Sequence, residues 1–205
     1  ARRALLAVPT LDVSSTLIDV RTLLSLLSPP RARTAPLQAI DLSWCPNLSG
    51  KGVGAALRAS LDIASREGGG GLDETLERLL LSGLKGAGGR LPDGVAQLLQ
   101  LRRLSSDSAG LTDAVDVQLR LLRLLEDIDL SANLLRTIPK SLAARPSLQV
   151  LDLRANQDMF ENGESFLGGG ARIARNAHVV RQLEKRGVVV LLDASSRAPG
   201  CPCCF

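Results

Sequence analysis

Apolar residues recur at fixed offsets in two segments of the chain. Residues 125–135 read LEDIDLSANLL and residues 148–158 read LQVLDLRANQD, so the two copies start 23 positions apart (148 − 125). Side chains alternate between the two faces of a strand, so Ile128 and Leu130 would share one face and Asp129 would lie on the other. The pattern therefore predicts one short strand per repeat, with its apolar face turned inwards.

Degraded copies of the same pattern extend over most of the chain, which predicts about seven irregular repeats. The positions that match are Val8, Leu11, Val13, Thr16 and Ile18; Leu37, Ile40, Leu42, Cys45 and Leu48; Leu76, Leu79, Leu81 and Leu84; Leu101, Leu104, Ser106, Ala109 and Leu111; Leu125, Ile128, Leu130, Asn133 and Leu135; Leu148, Leu151, Leu153 and Asn156; and Val190, Leu192 and Ser195. Leu84, Ala109 and Ser195 stand where the clear copies have asparagine. The pattern alone leaves the register of those repeats open.

Stacking of the repeats is required because one such strand cannot bury its apolar face alone. An asparagine amide at the turn can bond the backbone of its own repeat and of the next, which keeps buried peptide groups satisfied. Cysteine and threonine can do part of this, whereas leucine and alanine cannot. We therefore expect looser turns around Leu84 and Ala109.

Two segments carry apolar residues at helical spacing, GVGAALRASLDIASR and GARIARNAHVVRQLEKRG. In the second, Ile173, Ala177, Val180 and Leu183 share one face, and basic residues lie on the other. Both segments are expected to form helices on the side of the repeats opposite the strands.

Together these features resemble the leucine-rich repeat family over roughly residues 5–196. The resemblance implies an α/β solenoid, curved like a horseshoe, with a parallel sheet on its concave side and short helices or turns on its convex side. Residues 91–104 and 137–153 resemble typical or plant-type repeats, and residues 41–57 resemble the cysteine-containing or ribonuclease-inhibitor-like kind. We assign residues 1–196 to this domain and residues 197–205 to a Cys-rich tail that we expect to be disordered.

Composition narrows the possible functions. A net charge of +4 and an aromatic content of 2% do not favour nucleic-acid binding, which uses concentrated positive charge and aromatic stacking. The chain has four cysteines but no paired framework, and no apolar run approaches the length of a membrane span. We expect a cytoplasmic protein, with an extracellular or membrane-attached receptor segment as the alternative. The first residue is alanine, as expected of a processed form or a fragment.

The candidate site is the row of side chains that would face the concave side. At the strand centres these are Asp12, Asp41, Leu80, Ser105, Asp129, Asp152 and Leu191. The aspartates either bind cations or arginine side chains, or are simply residues that are common at this position in this repeat class. The candidate partner-binding residues are Asp41, Trp44, Arg102, Arg103, Asp129, Asp152 and Arg154. The chain has one tryptophan, and tryptophan and arginine dominate binding energy at many protein interfaces.

Catalysis is not predicted. The one histidine, His178, falls in a predicted helix with no marked catalytic partner. The glycine-rich segments lack the Gly-Lys-Ser/Thr ending of a phosphate loop, and no cofactor or metal is expected. Three of the last five residues are cysteines: Cys201, Cys203 and Cys204. Lipidation of these cysteines stays open, although their spacing is neither that of a prenylation signal nor that of a usual zinc site.

The sequence thus favours non-catalytic recognition of a partner protein, in a scaffold or signalling role. Three alternatives stay open: an ectodomain fragment of a plant-type leucine-rich repeat receptor, a structural or assembly subunit of a larger complex, and a GTPase-activating regulator. The last would use an exposed arginine on a repeat edge, and no arginine is singled out.

Overall fold

The backbone is organised around one parallel sheet whose strands follow one another in chain order. The computed structural model describes residues 9–27, 36–67, 71–160 and 169–193. Seven strands lie in this part of the chain: β1 (Thr10–Asp12), β2 (Ala39–Asp41), β3 (Arg78–Leu80), β4 (Arg103–Ser105), β5 (Asp127–Asp129), β6 (Val150–Asp152) and β7 (Val189–Leu191).

The strand register agrees with the apolar pattern in all seven repeats. The central residues Leu11, Ile40, Leu79, Leu104, Ile128, Leu151 and Val190 are aligned from strand to strand. The alignment passes without a break through the repeats that contain Leu84 and Ala109, both of which are buried. The predicted strands are therefore confirmed in these two repeats as well.

A continuous aliphatic core lies behind the sheet. Leu130 and Leu153, which belong to adjacent repeats, are 0% and 2% exposed and lie in the same cluster. Burial of each such side chain contributes roughly 2 kcal/mol, and no repeat could bury its own leucines without its neighbours.

The two asparagines satisfy buried backbone at the turns. Asn133 Nδ2 donates to Leu130 O at 3.0 Å in its own repeat and to Ser106 O at 2.9 Å in the preceding repeat. Asn156 Nδ2 likewise donates to Leu153 O at 3.0 Å and to Leu130 O at 2.9 Å. The expectation that the second partner is the following repeat was wrong, because each asparagine side chain bonds backbone groups of the repeat before it.

Cysteine and threonine replace part of this arrangement in the first two repeats. Cys45 Sγ donates to Val13 O of the preceding repeat at 3.0 Å, and Thr16 Oγ1 donates to Val13 O of its own repeat at 2.6 Å. Leu84 and Ala109 fill the same position with apolar side chains and have no side-chain donor to offer.

Helices and short turns cover the other side of the core. They comprise α1 (Val20–Leu27), α2 (Gly50–Glu67), α3 (Leu72–Thr75), α4 (Asp116–Leu119), α5 (Lys140–Ala143) and α6 (Gly169–Lys185), with single 3-10 turns at Val95–Gln97, Asp113–Val115 and Gln157–Met159. Both predicted helices are confirmed as α2 and α6. Ile173, Ala177, Val180 and Leu183 are buried as the spacing of α6 requires.

The protein is thus an α/β solenoid with leucine-rich repeat architecture, in which each repeat adds one strand to the sheet. In the described part of the chain, no helix combines the length and apolar character needed to cross a bilayer. Cys201, Cys203 and Cys204 lie outside the described residues, as does the whole 197–205 tail.

Candidate partner-binding face

The first and third residues of the strands point away from the core and form what we call the strand face. Ile128 is 2% exposed at the centre of β5, while Asp127 and Asp129 on either side of it are partly exposed. The same alternation places Asp41, Arg103, Asp129 and Asp152 on this face, as the sequence predicted. The prediction that the aspartates are at the strand centres was wrong, because each is the last residue of its strand. The strand spacing of about 4.8 Å makes the seven-strand face roughly 30 Å long.

The aspartates at the third strand position hold the turns that follow them. Asp41 Oδ1 accepts the N–H of Ser43 at 2.9 Å, and Asp129 Oδ1 accepts the N–H and hydroxyl of Ser131 at 2.9 and 2.7 Å. Bonds from the hydroxyl and then the N–H of Ser14 lower the pKa of Asp12. One carboxylate oxygen of Asp12, Asp41 and Asp129 is therefore engaged in the fold.

Asp152 and Arg154 form a two-pronged ion pair at one end of the face. Arg154 Nη2 and Nε lie 2.6 and 3.1 Å from Asp152 Oδ2, and Arg154 N–H donates to Asp152 Oδ1 at 3.0 Å. These bonds and the charge of Asp152 raise the pKa of Arg154, as do the charges of Asp129 and Asp193. Asp152 is only 5% exposed, so the pair presents the guanidinium rather than the carboxylate.

Arg102 and Arg103 lie beside and on β4, and each is paired with the next repeat. Arg103 Nε is 2.9 Å from Asp127 Oδ2, and Arg102 is paired with Glu126. About half of each arginine side chain stays exposed. These ion pairs therefore fix the two arginines while leaving part of each side chain accessible to a partner.

Arg78 belongs to the same cluster and was missed by sequence reasoning. It is aligned with Arg103 in the sheet, it is exposed, and it has no ion pair in the described ranges. Its position two residues after Leu76 matches that of Arg103 after Leu101, which would have identified it. A shallow depression of about 350 Å³ runs from Arg78 and Leu80 across β4 and β5 to Val150 and Leu191.

Trp44 lies in the turn after β2 rather than on a strand. Its φ is 58° and the residue is 56% exposed. The turn takes the same left-handed backbone in other repeats, where Ser15, Ala132 and Ala155 have φ between 51° and 56°. A bulky residue rarely adopts this conformation, and its strain of roughly 1 kcal/mol or more is held by the surrounding turn.

The indole of Trp44 lies on Gly83, which occupies the corresponding turn of the next repeat. A Cβ at Gly83 would be 2.4 Å from Trp44 Cε3. We expect Gly83→Ala to displace the ring, because an added methyl cannot share its space. Since the chain has one tryptophan, its emission spectrum reports the ring directly and should shift to longer wavelength.

Gly110→Ala is the matched control, with a φ of 72° against 74° at Gly83 and nothing near the added Cβ. Both variants should lose about 1 kcal/mol of stability from the left-handed backbone, and only Gly83→Ala should change the emission. Identical spectra for the two variants would show that the ring does not rest on Gly83.

The described residues offer no arrangement of metal ligands. No group of three or more histidine, cysteine, aspartate or glutamate side chains in those ranges could hold an ion. His178 lies on α6, where its Nε2 is 2.9 Å from the side-chain nitrogen of Gln182.

Comparisons with known proteins found a similarity only among solved structures. No family model matches the chain, and no curated protein matches it. Among solved structures, internalin C2 from Listeria monocytogenes is similar over 90% of this chain and 80% of that one, with 15% identity and a TM-score of 0.47. The chain's own strand register and core show the fold.

Proposed function

We propose that the protein is a non-catalytic interaction module that binds a partner protein on its strand face. The support is the continuity of the face, which spans all seven strands and contains partly exposed arginines beside an apolar depression. A standard interface buries about 800 Å² on each partner, and a face roughly 30 Å long can supply that area.

The binding residues we propose are Asp41, Trp44, Arg102, Arg103, Asp129, Asp152 and Arg154, and Arg78 is added to them. Trp44 is a half-exposed aromatic side chain in a fixed orientation, and Arg103 and Arg154 are held by carboxylates. Side chains that are already ordered lose less conformational entropy when a partner binds.

A capture experiment tests this proposal. Wild-type protein and a Trp44→Ala, Arg103→Ala, Arg154→Ala variant are immobilised, and the retained proteins are quantified by mass spectrometry. We expect a partner that the wild type retains to bind the variant about tenfold more weakly or worse, since tryptophan and arginine are the commonest anchors of interfaces.

A Lys51→Ala, Arg66→Ala, Arg123→Ala variant is the control, because it removes three exposed basic side chains outside the strands: two from α2 and one from the turn before β5. It should retain the partner at the wild-type level. Unchanged retention by the strand-face variant, with loss in the control variant, would place the binding surface on the other side of the solenoid.

For compartment, we propose the cytoplasm. Cys45 is a buried free thiol whose Sγ donates a hydrogen bond to the backbone, which suits a reducing environment. Lipidation of Cys201, Cys203 or Cys204 stays a prediction, as does the mixture of repeat subtypes.

A further inference from the structure

A second recess lies on the helical side of the solenoid, away from the strand face. It has a volume of about 450 Å³ and is bounded by α4, α5 and α6. Its size is in the range of sites that hold a ligand or a peptide segment. We call it the helical groove, and its lining includes Arg120, Lys140, Arg175, Pro139, Ala143 and Val179.

Three basic side chains from three successive repeats line the helical groove. Arg120, Lys140 and Arg175 are all exposed. Within residues 9–27, 36–67, 71–160 and 169–193, the five ion pairs involve none of them. This differs from the strand face, where Arg102, Arg103 and Arg154 are already paired with carboxylates.

One oxygen of each of the two carboxylates in the helical groove accepts backbone N–H groups. Asp113 Oδ1 accepts the N–H groups of Arg136 and Thr137 at 2.9 and 3.0 Å, and Asp116 Oδ1 accepts the N–H of Ser141 at 2.9 Å. These bonds tie each aspartate to the next repeat. With three cations and two carboxylates (3 − 2), the lining of the groove has a net charge of +1.

The surrounding surface adds positive charge. Helix α6 contains four basic residues and one acidic residue, whereas the third strand position is occupied by aspartate in four of the seven strands. The excess of positive charge on α6 therefore lies beside the groove, although the net charge of the whole chain is only +4. Such a field attracts acidic partners and speeds their association.

The shape and floor of the groove indicate what kind of anion fits. Pro139, Ala143, Ala144 and Val179 supply small apolar side chains between the basic ones. Among the described residues, no aromatic side chain lines the groove to stack on a nucleic-acid base. The cations surround a recess, and a planar lipid surface would leave that recess unfilled.

We propose that the helical groove binds an acidic segment of a partner protein. Its carboxylates pair with Arg120, Lys140 and Arg175, and small apolar side chains between those carboxylates pack on Ala143 and Val179. This site is independent of the strand face and would allow the solenoid to hold two partners at once.

Synthetic peptides test the proposal directly. The probe is a fluorescein-labelled peptide of alternating glutamate and alanine, about twelve residues long so that it can cross three repeats. Binding to the full chain is followed by fluorescence anisotropy. We expect it to exceed that of a glutamine–alanine peptide of equal length, and to weaken between about 50 and about 300 mM sodium chloride.

Two charge-reversal variants show whether the groove is responsible. Arg120→Glu, Lys140→Glu, Arg175→Glu should weaken binding about tenfold or more. Lys51→Glu, Arg66→Glu, Arg123→Glu carries the same change in net charge outside the groove and should change it less than about twofold. If circular dichroism shows that the first variant is unfolded, the glutamine substitutions at the same three positions replace it.

Three outcomes would overturn the proposal. The acidic peptide does not bind, or both charge-reversal variants lose binding equally. In the third, phosphatidylserine vesicles or oligothymidylate bind more strongly than the peptide, and the groove variant abolishes that binding. The Trp44→Ala, Arg103→Ala, Arg154→Ala variant should bind the peptide like wild type. Failure of the groove therefore leaves the strand-face proposal standing, and the reverse is also true.

Discussion

Replacing Asn133 by alanine should cost about 3 kcal/mol or more of the free energy of unfolding. The side chain is 4% exposed. Its Nδ2 donates to three carbonyls in two repeats, and its Oδ1 accepts the N–H groups of Ala109 and Leu111 at 3.2 and 2.8 Å. Alanine would leave these groups in the interior without partners, and an unsatisfied buried polar group costs about 1–3 kcal/mol.

Urea unfolding followed by circular dichroism measures this loss. Asn47→Ala is the control, because Asn47 is exposed and donates to Leu17 O at 2.8 Å, so its loss should be about 1 kcal/mol or less. Ala109 occupies the position equivalent to Asn133 in the preceding repeat, which shows that the fold admits alanine there. If Asn133→Ala loses as little free energy of unfolding as the control, backbone contacts alone stabilise the turns and the asparagine bonds add little.

Replacing Arg145 by leucine should have the opposite effect and raise the free energy of unfolding by about 1–3 kcal/mol. Arg145 is 5% exposed, and its Nη2 donates to Leu119 O at 2.7 Å. Its Nε and Nη1 have no hydrogen-bond partner in the described part of the chain. Burial also lowers the pKa of Arg145, which means that the fold disfavours its charged form.

The strand register explains why leucine should fit there. Arg145 lies three residues before Leu148, where the two preceding repeats have Leu98 and Leu122, both fully buried. Leu119 O would still accept the N–H of Leu122 at 3.2 Å. Arg123→Leu, on the exposed surface, should stay within about 0.5 kcal/mol of wild type. A loss of stability in Arg145→Leu would show that the guanidinium has partners that outweigh its burial.

The sequence determined the strands because their signal is periodic. In six of the seven repeats the strand centre follows the first apolar position by three residues, so even the degraded copy at Leu79 could be placed by spacing. Residue 187 is glycine, so Val190 was placed by its spacing to Leu192 instead. The row of aspartates followed from the same alternation, as did Arg103 on the strand face. Arg78 could have been found by the same rule, since it has the same register.

The stacking of the coils determines which repeat each asparagine side chain bonds and which charged side chains surround the helical groove. The direction of the asparagine bonds depends on how successive coils stack, and this information is absent from any single repeat. Arg120, Lys140 and Arg175 are separated by dozens of residues, yet α4, α5 and α6 bring them around one recess. The repeat spacing aligns Arg145 with Leu98 and Leu122, but only the fold shows that its buried Nε and Nη1 lack hydrogen-bond partners among the described residues. Local spacing specifies which way a side chain points within its own coil, whereas its neighbours and burial depend on coils that are distant in the chain.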